Sequence, residues 1–237
     1  MLAPGIMIIS HKHKFIFLKT RRTGSTSLEL FLFPYCDRQD VVTKLSASSI
    51  TRSTGHRAQN QIRSAFWLDP RPAINRFWPL KGSKAIDFHD HIAAADVRAY
   101  VGEKVWHSYF KFSFDRNIYD RQVSWFHHKT RTPRLARRWP DFDSFLKSSP
   151  DAVMDNYQIY TIGGELAVDY IGRYETLQDD LTRIMKTLGL SMSSVPLARK
   201  SPGRTDGKSY REFYTPKTRA LVEQWYPGER RLFDHEF

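Results

Sequence analysis

The chain has 237 residues, of which 41% are hydrophobic and 14% aromatic, and this composition excludes a generally disordered protein. It is long enough to bury one sizeable core, so we expect a single domain over residues 1–237. Lysine and arginine number 37 against 25 aspartate and glutamate residues, and the net charge of +12 predicts an anionic partner.

The N-terminal segment contains a short apolar piece with no basic region before it, unlike a secretory signal. No apolar run approaches the roughly 20 residues of a membrane span. Cys36 is the only cysteine, which excludes an intrachain disulfide and a cysteine-based zinc site. The sequence therefore favours a soluble, cytoplasmic protein.

The first predicted strand and helix flank the stretch FIFLKTRRTGSTSLEL, from Phe15 to Leu30. Phe15–Leu18 is an apolar run of strand length, and the leucines after Ser27 predict a helix. A strand, a small-residue turn and a helix bind phosphate because the first helical amides have no partner inside the helix and the helix dipole attracts an anion. The alternative is an exposed basic turn capped by serine or threonine. The candidate anion ligands are Lys19, Arg21, Arg22, Thr23, Gly24, Ser25, Thr26 and Ser27.

The order of residues in this turn separates two kinds of phosphate loop. A Walker loop for ATP or GTP reads GxxxxGK[ST], with its lysine directly after the last glycine. Here Arg22 precedes Gly24. This order resembles the 5′-phosphosulfate loop of sulfotransferases that use 3′-phosphoadenosine 5′-phosphosulfate (PAPS), in which a lysine or arginine stands just ahead of the turn.

The central part of the chain alternates between predicted strands and helices. Residues 37–82 contain several prolines and predict an irregular segment that forms one wall of a site. Lys84–Phe88 predicts a second strand, and the pattern that ends at Gly102 predicts a helix. Tyr109–Phe114 alternates and is rich in aromatic residues, which predicts another strand. The basic segment His127–Arg138 is predicted to be an exposed arm.

The C-terminal part continues this alternation. Val168–Arg173 predicts a strand, and Leu177–Leu188 predicts a helix that Gly189 ends. A loop rich in lysine, arginine, glycine and serine follows over Val195–Tyr210, before a last helix. We therefore predict an α/β fold with a mainly parallel central sheet flanked by helices on both faces, and a ligand site beyond the carboxyl ends of the strands.

A second candidate motif, RNIYDRQVS, spans Arg116–Ser124 after the aromatic strand. It resembles the second nucleotide motif of sulfotransferases, in which an arginine and a serine at this spacing hold the 3′-phosphate. A guanidinium suits this role because it donates two parallel charge-assisted hydrogen bonds to a phosphate. Ile118 stands where the family usually has proline, a departure that weakens the fixed turn but removes no ligand. The alternative is a helix with surface arginines, in which Arg121 pairs with a nearby acid.

Two later segments, VDYIGRYETLQDDLTRIMKTLGL and YREFYTPKTRALVEQWYPGERRLFDHEF, also resemble the family in order and spacing. The resemblance thus covers most of the chain outside residues 37–82. It implies a PAPS-dependent sulfotransferase of the carbohydrate branch, with a fold similar to that of P-loop nucleotide kinases. It also implies transfer of the sulfuryl group to an acceptor hydroxyl on a glycan or glycolipid, with 3′-phosphoadenosine 5′-phosphate (PAP) as product. Neither a metal nor a nucleic-acid partner is expected.

The resemblance implies roles for the residues of both motifs. Arg22 occupies the position of the catalytic cation, at the bridging oxygen of the donor, and Thr23–Ser27 would cradle the 5′-phosphate. Lys19 and Arg21 either touch the sulfonate or only raise the local positive potential. The basic loop that would close over the 3′-phosphate contains Lys200, Arg204 and Lys208, and solvated surface charge is the alternative for each.

A histidine is the natural general base, because its unperturbed pKa lies near neutrality. His91 follows the second predicted strand, where related sequences also place a histidine, and it is the first candidate. His89 and His56 are the other candidates, and Asp87 or Asp90 would orient the ring.

Two other functions agree with part of the sequence. A nucleotide kinase or other phosphotransferase would need a GK[ST] loop and a magnesium-binding carboxylate at a strand end, and the sequence has neither. A non-catalytic nucleic-acid-binding protein is compatible with the charge of +12, but it leaves both phosphate motifs unexplained.

Overall fold

The computed structural model describes residues 7–43, 57–60, 62–63, 86–87, 91–192 and 207–237. In chain order its strands are β1 (Ile8–Ser10), β2 (Phe15–Leu18), β3 (Val41–Val42), β4 (Ile62–Arg63), β5 (Ile86–Asp87), β6 (Phe110–Asp115), β7 (Thr161–Ile162), β8 (Glu165–Leu166) and β9 (Tyr170–Arg173). Five of these strands form the central sheet, in the order β3–β1–β2–β6–β9, while β4 pairs with β5 and β7 pairs with β8.

Helices connect and cover these strands. Within the ranges given above, no helix has both the length and the apolar character that crossing a membrane requires. Short 3₁₀ helices cover Phe33–Tyr35 and Tyr210–Phe213. The α-helices are α1 (Ser25–Leu32), α2 (Ala94–Val101), α3 (Glu103–Ser108), α4 (Ile118–Lys129), α5 (Pro133–Arg138), α6 (Phe142–Ser148), α7 (Tyr157–Tyr160), α8 (Leu177–Thr187), α9 (Pro216–Trp225) and α10 (Pro227–Phe233).

The directions of the strands determine where a ligand site can form. β2 runs parallel to β6, and β6 runs parallel to β9, whereas β1 runs antiparallel to both of its neighbours, β2 and β3. The sheet is therefore mixed, with β1 opposing the other strands, and the prediction of an α/β fold is confirmed. The carboxyl ends of β2, β6 and β9 meet at one edge, which is where ligands bind in such sheets.

The core lies on both faces of the central sheet. Ile16 and Leu18 of β2 pack in one cluster with residues of α2 and α3. Phe15 and Phe17, their neighbours on the same strand, pack in another cluster with residues of α1 and α8. Successive side chains of a strand point to opposite faces, so this division follows from the period of two. A further cluster joins α4, α6 and α9.

The second predicted strand does not join the central sheet. β5 lies inside the predicted strand Lys84–Phe88, but it pairs with β4 in a separate sheet and not with the central strands. β1 takes the place beside β2, because an antiparallel neighbour needs only a tight turn, here residues 11–14. Asp40 holds this hairpin by accepting hydrogen bonds from the Ser10 hydroxyl at 3.0 Å and the His11 amide at 2.6 Å.

The predicted basic arm His127–Arg138 is helical. α4 runs to Lys129, and after a short break α5 begins at Pro133. Thr132 caps α5 by accepting a hydrogen bond from the Leu135 amide at 3.4 Å. A proline in the first turn is compatible with a helix, because the N–H that it lacks would have no helical partner. The arginines of α5 are nevertheless exposed, as predicted.

Candidate active site

The predicted phosphate loop connects β2 to α1 at the carboxyl edge of the sheet. Thr20 anchors the loop: its hydroxyl donates to the carbonyl of Phe114 and lies 2.8 Å from the hydroxyl of Thr23. The hydroxyl of Ser25 donates to the carbonyl of Thr20 at 2.8 Å. The hydroxyls of Thr23 and Ser25 thus hold the loop in shape, so their backbone amides, rather than their hydroxyls, are the candidate anion ligands.

Gly24 is the N-cap of α1, and no side chain caps this helix. Its φ of 72° lies in the left-handed region, which glycine adopts without the steric cost of a Cβ. A Cβ at this position would lie only 3.2 Å from the ring of Tyr174. Thr26 and Ser27 follow, half-exposed, in the first turn. The first amides of α1 and the positive end of its dipole are therefore directed at the site.

Side chains of the two motifs converge at this helix end. Arg22 donates through Nε and Nη2 to the Ser124 hydroxyl, at 3.1 and 2.8 Å. Arg116 donates from Nη1 to the Arg22 carbonyl at 3.0 Å. Arg116 and Ser124 are buried, and Arg22 is half-buried. The second motif therefore holds both the backbone and the side chain of the predicted catalytic arginine.

Arg116 is held in turn by two neighbouring residues. Its Nη2 lies 2.7 Å from a carboxylate oxygen of Asp120, and its guanidinium lies 4.1 Å from the centre of the Tyr174 ring. Tyr174 is itself fixed to the end of β6, because its amide donates to the Asp115 carbonyl at 2.7 Å. These contacts fix the guanidinium of Arg116 at the carboxyl edge of β6 and β9.

Asn117 starts α4 and explains how the motif tolerates Ile118. The side-chain oxygen of Asn117 accepts hydrogen bonds from the amides of Tyr119 at 3.0 Å and Asp120 at 3.4 Å. This cap fixes the backbone of the turn, which is the role that a proline at the position of Ile118 would have. Ile118 is fully buried in the cluster that joins α4, α6 and α9, so it contributes packing instead.

Several cationic side chains lie close to Arg22. The pKa of Arg22 is lowered to about 10, first by burial and then by the nearby charges of Arg116 and Arg131. The pKa of His128 is lowered to about 4 by burial and by the charges of Arg22, Arg131 and Lys129, so its ring is neutral at pH 7. Like charges held this close together repel one another, and a bound anion offsets that cost.

His91 lies beside the phosphate loop. Its Nδ1 is 2.8 Å from the carbonyl of Lys19. A carbonyl only accepts, so Nδ1 carries the proton, and in the neutral ring the lone pair is on Nε2. The φ of His91 is 56°, a left-handed conformation that is uncommon outside glycine and that clusters at functional sites. The ammonium of Lys19 forms a buried ion pair with Glu29 at 3.5 Å.

A family model described as the sulfotransferase family matches residues 6–236, nearly the whole chain. The chain belongs to the sulfotransferase family. The family that the two motifs predict is thereby confirmed, and both motifs and His91 lie inside the matched range. Membership supports sulfuryl transfer as the class of reaction and disfavours the phosphotransferase and the non-catalytic nucleic-acid-binding alternatives.

Part of this sulfotransferase is similar to an uncharacterized protein of Archaeoglobus fulgidus. The two are 32% identical over 97 residues, which are 40% of this chain and 79% of the relative. No solved structure matches the chain.

The other predicted ligands of the candidate site differ in their surroundings. Asn156 holds the backbone of Arg21 by two hydrogen bonds, at 2.9 and 3.0 Å, and the Arg21 guanidinium donates to the Asp155 carbonyl at 2.8 Å. Lys208 is exposed shortly before the second 3₁₀ helix. Only the backbone of Asp87 is described. The predicted site residues that lie outside the described residues are His56, His89, Asp90, Lys200 and Arg204.

Tyr174 is a residue of the candidate site that sequence reasoning missed. It contacts both motifs, through Gly24 and Arg116, and it borders a cavity of about 450 Å³ that Asp120 and residues 175–179 also line. The available signal was its position directly after β9, at the carboxyl edge of the sheet. Asn156, which fixes the backbone of the loop, had no comparable signal in the sequence.

The contact between Gly24 and Tyr174 is testable by substitution. Gly24→Ala is expected to lower the free energy of unfolding by roughly 1–2 kcal/mol through the left-handed backbone, and by about 1 kcal/mol more through crowding of the Tyr174 ring. Gly189→Ala is the matched control, since Gly189 has a φ of 66° but nothing within 4 Å of the position of a Cβ. Denaturant unfolding measures both, and equal losses would contradict the close contact at Gly24.

Proposed function

We propose that this chain transfers the sulfuryl group of PAPS to an acceptor hydroxyl on a carbohydrate, by in-line displacement and within one domain. The observation that carries the proposal is the convergence of Arg22, Arg116 and Ser124, from two motifs far apart in sequence, beside the N-terminus of α1. PAPS carries phosphate groups on both sides of its ribose and therefore needs two anion sites. The two motifs are suited to supply them.

The residues present fit this donor. The amides of Thr23–Thr26 would hold the 5′-phosphate at the N-terminus of α1, since the Ser27 amide already donates to the Gly24 carbonyl at 2.9 Å. Arg116 with Ser124 would hold the 3′-phosphate. The cavity of about 450 Å³ beside Tyr174 lies next to both motifs and would take the nucleoside. A serine hydroxyl has one proton and two lone pairs, so Ser124 can accept from Arg22 and still donate to a phosphate.

PAPS supplies a sulfuryl group that is joined to the 5′-phosphate through a bridging oxygen. Arg22 would donate to that oxygen as its bond to sulfur breaks and negative charge develops on the departing PAP. His91 would take the proton of the acceptor hydroxyl at Nε2, the atom that carries the lone pair while Nδ1 donates to Lys19. The acceptor oxygen then forms the new bond to sulfur, so the proton ends on His91 and the charge on PAP.

The direct test is a transfer assay with radiolabelled PAPS and a panel of carbohydrates. The expected result is label on an acceptor, with release of one PAP for each group transferred. Parallel reactions with labelled ATP test the alternative reaction. Transfer of the terminal phosphate of ATP, without transfer from PAPS, would overturn the proposal.

Arg116 is expected to provide most of the discrimination between PAP and AMP. Arg116→Ala should weaken PAP binding by roughly 10- to 100-fold, the usual worth of hydrogen bonds to a charged group, and should change AMP binding much less. AMP lacks the 3′-phosphate that Arg116 is proposed to hold. Calorimetric titration of both nucleotides measures the difference.

The control for this experiment is Arg219→Ala, which removes an exposed arginine paired with Glu223 at 2.8 Å. Its affinities for PAP and AMP should match those of the wild type. Equal affinity of the wild-type chain for PAP and AMP would count against a 3′-phosphate site at Arg116 and Ser124.

A further inference from the structure

Arg22 has a left-handed backbone conformation, with a φ of 63°. Glycine adopts this conformation freely, whereas in an arginine the Cβ comes close to the following carbonyl oxygen, which is sterically unfavourable. A residue stays in such a conformation only where the surrounding structure over-determines it. The backbone of Arg22 also decides where its side chain points, here toward the Ser124 hydroxyl. The contacts that hold this backbone therefore bear on the proposed reaction.

The two peptide groups that flank the Cα of Arg22 are held by different side chains. The group after it contains the Arg22 carbonyl, which accepts a hydrogen bond from Nη1 of Arg116 at 3.0 Å. The group before it contains the Arg21 carbonyl, which accepts a hydrogen bond from Nδ2 of Asn156 at 3.0 Å. Each peptide group is planar, so φ and ψ of Arg22 describe how these two planes are turned about its Cα. Arg116 and Asn156 together hold that arrangement.

Asn156 is fully buried, and its side chain contacts both backbone groups of Arg21. Besides the contact of Nδ2, its Oδ1 accepts a hydrogen bond from the Arg21 amide at 2.9 Å. A side-chain amide suits this position because it offers an acceptor oxygen and a donor nitrogen next to each other. The two residues are 135 positions apart in sequence. Asn156 thus connects the phosphate loop to a distant segment of the chain.

That distant segment is attached to α4, the helix of the second motif. Gln122 of α4 is fully buried and donates from Nε2 to the Ala152 carbonyl at 2.6 Å. The Tyr226 hydroxyl donates to Oε1 of Gln122 at 3.0 Å and accepts from the Met154 amide at 2.8 Å. These bonds fix the chain just before Asn156. The helix that receives the Arg22 guanidinium therefore also supports, through this segment, the peptide group before Arg22.

We propose that Asn156 is a positioning residue of the sulfotransferase, which holds Arg22 in its left-handed conformation and so directs the guanidinium to the bridging oxygen of the donor. This inference rests on the proposed function, in which Arg22 acts on that oxygen. The polar atoms of the Asn156 side chain contact the Arg21 backbone, so Asn156 acts through the loop and not on the donor itself. Its effect should appear in the rate, because a displacement of about 1 Å at a reacting group costs on the order of 10²-fold.

The first test is Asn156→Ala, which is expected to lower kcat by about 10- to 100-fold at saturating PAPS. PAP affinity should fall much less, because the amides of Thr23–Thr26 and the second motif still hold the phosphates. The matched control is Asp40→Ala, which removes a buried side chain that holds the backbone at the other end of β2. Both variants should unfold at lower denaturant concentration, but only Asn156→Ala should lose kcat. Asn156→Ser keeps a polar group, should lose less kcat, and takes the place of Asn156→Ala if that variant does not fold.

The second test is a double-mutant cycle with Arg22→Ala. If Asn156 acts through Arg22, its replacement lowers kcat in the wild-type background but adds little once the guanidinium is absent. The same fold-loss in both backgrounds would show that Asn156 acts elsewhere, and would overturn the inference. Loss of PAP affinity as large as the loss of kcat would assign Asn156 to donor binding. An equal loss of kcat in Asp40→Ala would reduce the effect to stability alone.

Hydrogen exchange of the peptide that contains Arg21 and Arg22 needs no turnover and separates this inference from the proposed function. In Asn156→Ala the Arg21 amide loses its acceptor, so exchange in this peptide should become faster. In Asp40→Ala it should keep the wild-type rate. Unchanged exchange in Asn156→Ala would overturn the inference. A wild-type chain that does not use PAPS would refute the proposed function, while the exchange rates would still decide whether Asn156 holds the backbone at Arg22.

Discussion

At saturating PAPS, replacing Arg22 by alanine is expected to lower kcat by about 10²- to 10³-fold, the typical cost of removing one donor to a developing oxyanion. A cation at the bridging oxygen gains strength as the leaving group becomes charged, so its loss is felt more in the transition state than in the bound donor. Donor affinity should fall less, because Arg116 and the amides of Thr23–Thr26 still hold the phosphates. Single-turnover transfer from PAPS measures the effect.

Arg22→Lys is the matched variant, because it keeps the positive charge but loses the two-atom contact with Ser124. It should retain part of the activity.

The pKa of Arg22 is lowered only to about 10, so its guanidinium stays charged at neutral pH. Wild-type kcat should therefore fall toward that of Arg22→Ala only as the pH rises through that value. An Arg22→Ala enzyme with normal kcat and a raised KM would show that Arg22 only attracts the donor, and would direct attention to Lys19.

How much of this site the sequence predicts depends on whether the contacts are local. The residues from Lys19 to Ser27 are neighbours along the chain, and the strand–turn–helix pattern predicts their arrangement directly. The contact between Arg22 and Ser124 spans 102 residues, and that between His91 and Lys19 spans 72. No local period encodes such pairs. The resemblance to sulfotransferases indicated the motifs, but not that Arg22 donates to Ser124.

The same distinction between local and long-range contacts decides which strands the sequence predicts. Phe15–Leu18 and Tyr109–Phe114 are long enough for an apolar pattern to predict β2 and β6. β1 and β3 have three and two residues, too few for a period to be recognised, and they join the sheet through pairing with neighbours. The hydroxyls of Thr23 and Ser25 illustrate a further limit. Sequence shows that a hydroxyl is present, but whether it donates to a ligand or to the Thr20 carbonyl depends on the folded loop.

His91→Asn is expected to lower kcat by about 10²- to 10⁴-fold, the usual contribution of general acid–base catalysis, with little change in PAP affinity. Asparagine is chosen because it tolerates the left-handed φ of 56° that His91 adopts, whereas alanine would add backbone strain. Its amide can also donate to the Lys19 carbonyl, as Nδ1 does. The variant therefore removes the proposed base at Nε2 while it keeps the local backbone and this hydrogen bond.

The control for His91 is His107→Asn, which changes an exposed histidine of α3 that pairs with Glu103 at 3.0 Å. Its kcat should equal that of the wild type. A base acts only when deprotonated, so wild-type kcat/KM should rise with pH on the acid side, and this rise should be absent in His91→Asn. Normal kcat in His91→Asn, with loss of activity in His89→Asn or His56→Asn, would move the base to one of those residues. Loss of PAP affinity in His91→Asn would instead assign His91 to donor binding, because a residue that acts only on the acceptor proton contributes nothing to the affinity for PAP.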